Sequence, residues 1–185
     1  RLDGVTGVQT CALPIFLTSP NFLYLIEPAR AGDEKKLTPF EFASRLSYFL
    51  WSSMPDDTLF RLASSGELKK PEVVKQQIDR MLKDPKSEAL ITNFTGQWLG
   101  LRKVGSNPPV RNIYPEYDRH LETSIVRESE VFFEEILRND LDTRNLIKSD
   151  FVTINERLAR FYGISGVKGD AFRKVKVTPE SNRGG

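Results

Sequence analysis

The sequence predicts an all-α, mainly helical fold: a compact domain of about seven or eight helices with a short C-terminal extended segment. Three observations carry this. Apolar residues recur at helical spacing through most of the chain, several of these runs open on a cap followed by proline or an acid, and only one stretch alternates with period two. The 185 residues, 39% hydrophobic and 28% charged with 12 Phe, suffice for one ordinary domain with its own core and exclude collagen, a coiled-coil rod or wholesale disorder.

Taken in order, Ser19-Pro20 opens a short helix carrying Phe22, Leu23, Leu25 and Ile26, with proline at its first position. Ala29 to Lys36 reads as a charged loop around Gly32. Thr38-Pro39-Phe40-Glu41 is a capping box that starts a helix to about Trp51, with Phe42, Leu46, Phe49 and Leu50 as its apolar face. Ser53 or Met54 is expected to cap the next, opened by Pro55-Asp56-Asp57, lined by Leu59, Phe60, Leu62 and Ala63 and stopped at Gly66. Pro71 opens a helix with Val73, Val74, Ile78, Met81 and Leu82 inward. Asp84 caps another, whose stripe is Leu90, Ile91, Phe94, Trp98 and Leu101.

Gly100, Gly105 and Pro108-Pro109 mark an irregular loop to about Tyr114. Pro115 starts the longest element, about Glu116 to Asn139, with Leu121, Ile125, Phe132 and Ile136 on one face. Thr153-Ile-Asn-Glu156 is read as a second capping box, before Leu158, Ala159, Phe161 and Tyr162 and a stop at Gly163. Phe172 to Val177 alternates as a strand. The aromatics of these helices are expected in the core.

The expected organisation is residues 1–15 outside the fold, 16–178 as the helical domain and 179–185 as a truncated linker to a following module. Residues 5–15 resemble the translation of a sequencing-adapter oligonucleotide, which would make Cys11 foreign to the natural protein.

The charge balance, 27 bases against 25 acids, gives no general attraction to nucleic acid, and no apolar run is long enough to insert in a membrane. One His and one Cys leave no cysteine–histidine zinc site and no haem-attachment motif, so no cofactor or metal ligand is assigned in this chain. Glu128, Glu130, Glu134 and Glu135 crowd the long helix but spread around its circumference as a solvated face, and His120 sits near its start without a metal-binding partner. No Gly-x-Ser-x-Gly elbow or phosphate loop occurs. No catalytic residue is assigned.

Asp56 and Asp57 are accounted for by helix capping, and Glu41 by its box and an i,i+4 pair with Arg45. Glu128 is different. It falls between Ile125 and Phe132 on the apolar stripe, where a carboxylate needs a partner. A buried ion pair with Arg45 or Arg157 is expected, with acid/base chemistry as the alternative. Residues 116–150 are acidic and 151–185 basic, as a solvated acidic helix face beside a basic tail or as surfaces that meet neighbouring modules.

Several runs together resemble a known module. They are Ser19–Tyr24, Leu37–Asp57, Asn93–Leu101 (Asn-Phe-Thr-Gly-Gln-Trp-Leu-Gly-Leu) and Asn155–Gly163 (Asn-Glu-Arg-Leu-Ala-Arg-Phe-Tyr-Gly). In this order they resemble domain of unknown function 1592, a module of large multidomain proteins of planctomycetes and related bacteria. The resemblance implies an exported, periplasmic or extracytoplasmic setting, and haem c in other modules of the full-length protein. It brings no catalytic assignment. Glu41, Arg45, Trp51, Gln97, Trp98, Asn155 and Arg157 are its motif positions, to which the residue reading adds Glu128.

The resulting expectation is a non-catalytic scaffold or docking module whose partners are neighbouring modules of the same polypeptide. No nucleic acid is expected, and a small-molecule or polysaccharide ligand is left open. The alternative is an enzyme domain, a hydrolase or oxidoreductase acting on polymeric carbon, using Glu128 or Asp56 as acid/base. An open pocket joining Trp51, Trp98 and Glu128 would favour the enzyme; the same residues packed shut would favour the scaffold.

Overall fold

A computed structural model of the chain describes residues 14–24 and 37–177. Of residues 1–15, expected outside the fold, 1–13 with Cys11 lie outside the described residues, as do the charged loop 29–36, Leu25 and Ile26, and the linker 179–185.

Among the described residues, 14–18 are helical, and seven helices and one two-stranded sheet follow in order. They are α1 (Pro20–Leu23), α2 (Pro39–Trp51), α3 (Asp57–Ser64), α4 (Pro71–Lys83), α5 (Glu88–Trp98), α6 (Arg119–Arg138), β1 (Phe151–Ile154), α7 (Glu156–Tyr162) and β2 (Arg173–Lys176). The mainly helical expectation is met.

The starts show how local chemistry sets the boundaries. In α2 both arms of the capping box are made: Glu41 N–H donates to Thr38 Oγ1 at 3.2 Å, and Thr38 N–H donates to Glu41 Oε2 at 2.6 Å. The cap of α3 is Asp56, which accepts from Leu59 N–H at 2.9 Å, and not Ser53 or Met54. Asp84 caps a single 3-10 turn, Pro85–Ser87, before α5 begins at Glu88. Leu101 therefore belongs to the next 3-10 turn and not to the α5 stripe. The long helix starts at Arg119, three residues later than Glu116, because Asp118 accepts from Leu121 N–H at 2.7 Å.

The second capping box is also corrected. Asn155 caps α7 by accepting from Leu158 N–H at 3.0 Å, while Thr153 lies in a strand. Gly163 ends α7 in the left-handed region at φ 71°, which favours glycine.

Phe151-Val-Thr-Ile154 is the strand missed from sequence. It pairs antiparallel with β2 in the register Phe151↔Lys176, Val152↔Val175, Thr153↔Lys174 and Ile154↔Arg173. All four β1 residues are buried.

Two apolar clusters hold the domain. The first joins α2, α3, α4 and α5 through Ala43, Leu50, Trp51, Leu59, Met81 and Leu90. The second joins α6, the sheet and α7 through Leu121, Val152, Ile154, Leu158 and Ala159. Helix α6 serves both: Leu137 packs on the first cluster, and Leu121 and Ile125 belong to the second.

Candidate functional site: an aromatic groove beside Glu128

Several helical aromatics expected in the core stand at the surface. Phe40, Tyr48, Phe49, Phe60 and Phe161 are exposed, and Phe94 and Trp98, one turn apart on α5, are 41% and 52% exposed. The two rings pack on each other at 5.6 Å between centroids, and Phe94 continues onto Phe133 of α6 at 5.2 Å. Leu99, which follows, is 48% exposed.

Trp98 and Leu99 form one wall of a groove of about 220 Å³ between α5, α6 and β1. Phe132, Phe133, Leu146 and Val152 complete its apolar lining. Three polar side chains face it: Glu128, Ser129 and Thr153. The Thr153 hydroxyl donates to the Glu128 carbonyl at 3.0 Å, which ties β1 to the middle of α6.

Glu128 is half-buried on α6. Its Oε2 accepts from the Tyr162 hydroxyl at 2.5 Å. The expected pairing with Arg157 does not form. The Arg157 guanidinium donates instead to the Glu116 carbonyl and contacts Asp118 Oδ2 at 3.3 Å, because α7 points it at the chain entering α6. Asp118 consequently sits below the usual carboxylate range, chiefly through the Leu121 N–H it accepts and then through Arg157.

The remaining positions divide between structure and surface. Glu41 closes its capping box, while Arg45 and Gln97 are exposed on α2 and α5. Trp51 is only 4% exposed; its indole N–H donates to the Met81 carbonyl at 2.9 Å. The Arg80 guanidinium and the Lys86 ammonium lie 5.4 and 4.9 Å from its ring centroid. Trp51 is thus a core residue, and it does not share the Trp98 groove. Asn155 is buried, capping α7 while its amide donates to Ser124 Oγ at 3.0 Å.

Asp56, the other acid considered for chemistry, holds Arg80 at 2.7 and 3.3 Å and lies outside the groove. Desolvation raises its pKa, but the bonds from Arg80 and the Leu59 N–H outweigh that and hold it below its ordinary value.

The buried acid that sequence reasoning missed is Glu130, only 9% exposed rather than on a solvated face. It accepts from Arg127 Nη1 at 3.0 Å, and Arg127 also reaches Glu88 of α5 at 3.1 Å. Burial lowers the Arg127 pKa, yet the Glu130 bond and nearby carboxylates raise it overall. The signal available was the i,i+3 pair itself; what was not visible is that α5 covers this face of α6.

The acidic helix and the basic C-terminal strand meet each other. Lys174 of β2 lies 3.0 Å from Glu135 of α6, and Arg138 pairs with Glu134 at 2.6 Å within α6. Among the described residues no group of three or more His, Cys, Asp or Glu is placed to hold a metal, and no helix is long and apolar enough to cross a membrane. The His120 imidazole contacts Asp170 at 3.3 Å at the surface.

A family model described as "PSD4: Protein of unknown function (DUF1592)" matches residues 37–164. Neither the curated proteins nor the solved structures contain a match to this chain.

Proposed function

The chain belongs to the PSD4 family of proteins of unknown function (DUF1592), and from that premise we propose that it is a docking module whose groove between α5, α6 and β1 receives an aromatic side chain of a partner segment. The carrying observation is Trp98 standing 52% exposed at the mouth of that groove, with Leu99 beside it. An apolar wall of this kind, left open to water, gains most when a second apolar surface covers it.

The volume supports a side-chain anchor. About 220 Å³ is below the roughly 300–1,000 Å³ common for small-molecule sites. Interfaces commonly concentrate their affinity in one aromatic residue seated in such a pocket. The partner proposed is a neighbouring module of the same larger polypeptide, in an exported, cytochrome c-associated protein of the kind the sequence resembles.

The charge asymmetry lends this reading less than the sequence suggested, since Lys174 already answers Glu135 within the module. The apolar groove is its support. Binding of the adjoining module of a full-length relative, measured by calorimetry, tests it. Leu99→Glu is expected to weaken binding at least tenfold while leaving the melting midpoint unchanged. Undiminished binding by that variant would overturn the reading.

A second reading has one observation in its favour. Glu128 faces an open groove with a phenol hydrogen-bonded to it, a pairing that can serve acid/base chemistry. Turnover of a polysaccharide or ester by the whole chain, abolished by Glu128→Gln, would establish that enzyme.

A further inference from the structure

A second pocket, of about 500 Å³, opens where the end of α2 meets the start of α5, and it shares no lining residue with the Trp98 groove. Its volume falls within the roughly 300–1,000 Å³ common for small-molecule sites, which that groove does not reach. Trp51, Pro85 and Ala89 give it apolar lining, and Ser53, Lys86 and Asn93 add polar groups. Trp51 and Ser53 come from the motif run Leu37–Asp57, and Asn93 opens the run Asn93–Leu101. Two of the runs that carry the family resemblance therefore meet at this pocket.

Most polar groups around it are already engaged. The Asn93 amide donates to Ser52 Oγ at 2.8 Å and accepts from Arg102 at 3.0 Å. Glu88, the one acid in the lining, is paired with Arg127 at 3.1 Å. Asp56, on the far side of Arg80, spends its oxygens on that guanidinium and on the Leu59 N–H. Two groups are left over. The Lys86 ammonium lies 4.9 Å from the Trp51 ring centroid and makes no ion pair among the described residues. The Ser53 hydroxyl is enclosed with no hydrogen-bond partner among the described residues. A cation without a counter-charge and an unused hydroxyl at one pocket are the groups an anionic oxygen engages.

We infer that this pocket binds a small organic monocarboxylate with a compact apolar body, its carboxylate at Lys86 with Ser53 as the hydroxyl donor and its body against Pro85 and Ala89. The site goes beyond the docking reading and does not depend on it. The cation is set in advance. Lys86 stands on the single 3-10 turn Pro85–Ser87, which Asp84 caps by accepting the Lys86 N–H at 2.8 Å, and the Trp51 ring draws the ammonium to its face. Little freedom is then lost when the ligand arrives. A neutral ligand of the same shape leaves the ammonium unanswered, so charge is what the pocket selects.

Titration of the labelled full chain with sodium benzoate, and in parallel with benzamide, at constant ionic strength tests this. Benzoate should shift the Trp51 indole N–H and the backbone amides of Lys86, Ala89 and Asn93 together, with half-saturation below about 1 mM, and benzamide should bind at least tenfold more weakly. Lys86→Met should weaken benzoate at least tenfold, leave benzamide unchanged and keep the melting midpoint within about 4 °C, the size of a lost cation–ring contact. Lys86→Arg, which keeps the charge, should retain the preference for benzoate. Leu99→Glu, in the other groove, should change none of this. Equal binding of benzoate and benzamide, or benzoate affinity untouched by Lys86→Met, would overturn the inference. So would shifts that rise without saturating or that spread over unrelated lysines and arginines, which would mark adventitious ion binding only.

Discussion

The Tyr162 hydroxyl donates to Glu128 Oε2 across 2.5 Å, joining the last turn of α7 to the middle of α6 at the edge of the aromatic groove. The bond satisfies a carboxylate on an otherwise apolar stripe with a neutral donor. It also fixes the orientation of the acid that faces the groove.

Tyr162→Phe removes that donor and keeps the ring. Hydrogen bonds to charged acceptors contribute about 1.5–3 kcal/mol, and Glu128 is only half-buried, so a loss of about 1–2 kcal/mol in urea unfolding is expected. A change below about 0.5 kcal/mol would show that Glu128 is held by other contacts.

Asn155 carries two roles in a buried site: it caps α7, and it donates to Ser124 of α6. Asn155→Ala is expected to cost about 2–3 kcal/mol, combining a lost cap of roughly 1 kcal/mol with an unpaired buried hydroxyl. Asn155→Ser should keep the cap through its hydroxyl and lose only the bond to Ser124, so it should fall between the two in urea melts.

The pH dependence of stability should carry an Asp56 component. Its folded pKa is depressed, so the contribution is fully present above the unfolded value of about 3.9 and is lost as pH falls through the folded pKa. Asp56→Asn retains a good N-cap but weakens the tie to Arg80. The stability gap between the two proteins should be constant above about pH 5 and close as the solution is made more acid than pH 4. A gap that widens on acidification would contradict the assignment.

Much of this fold could be read from the chain because its starts are local chemistry. Thr38, Pro39 and Glu41 write their capping box within four residues, and Gly163 writes its stop in one. Errors came where two local signals competed. Asp118 overruled Pro115, and Asn155 overruled Thr153, since each offers a carboxylate or amide oxygen to the N–H three residues on. The strand Phe151–Ile154 was hidden because its four buried residues do not alternate; α6 covers one face and the α7 side the other. The groove was not legible at all. Phe94 and Trp98 have core spacing, and only the placement of α6 and β1 leaves their outer faces uncovered.

Lys174 and Glu135 test whether the basic strand belongs to the module or to a neighbour. A double-mutant cycle with Lys174→Ala and Glu135→Ala should give a coupling of about 0.2–1 kcal/mol that shrinks at high salt, as for partly exposed pairs. The Lys174 ammonium also lies 4.1 Å from the Phe151 ring centroid, so its removal alone should cost more than that of Glu135.

The most direct test of the docking groove is the indole N–H resonance of Trp98 in the labelled chain, followed as the adjoining module of a full-length relative is added. Docking predicts that this resonance and the backbone amides of Leu99, Ser129 and Phe133 shift together and saturate, while the Trp51 indole, bonded to Met81 in the core, stays in place. Saturable binding that moves resonances on α2 or α3 and leaves Trp98 unmoved would contradict the account.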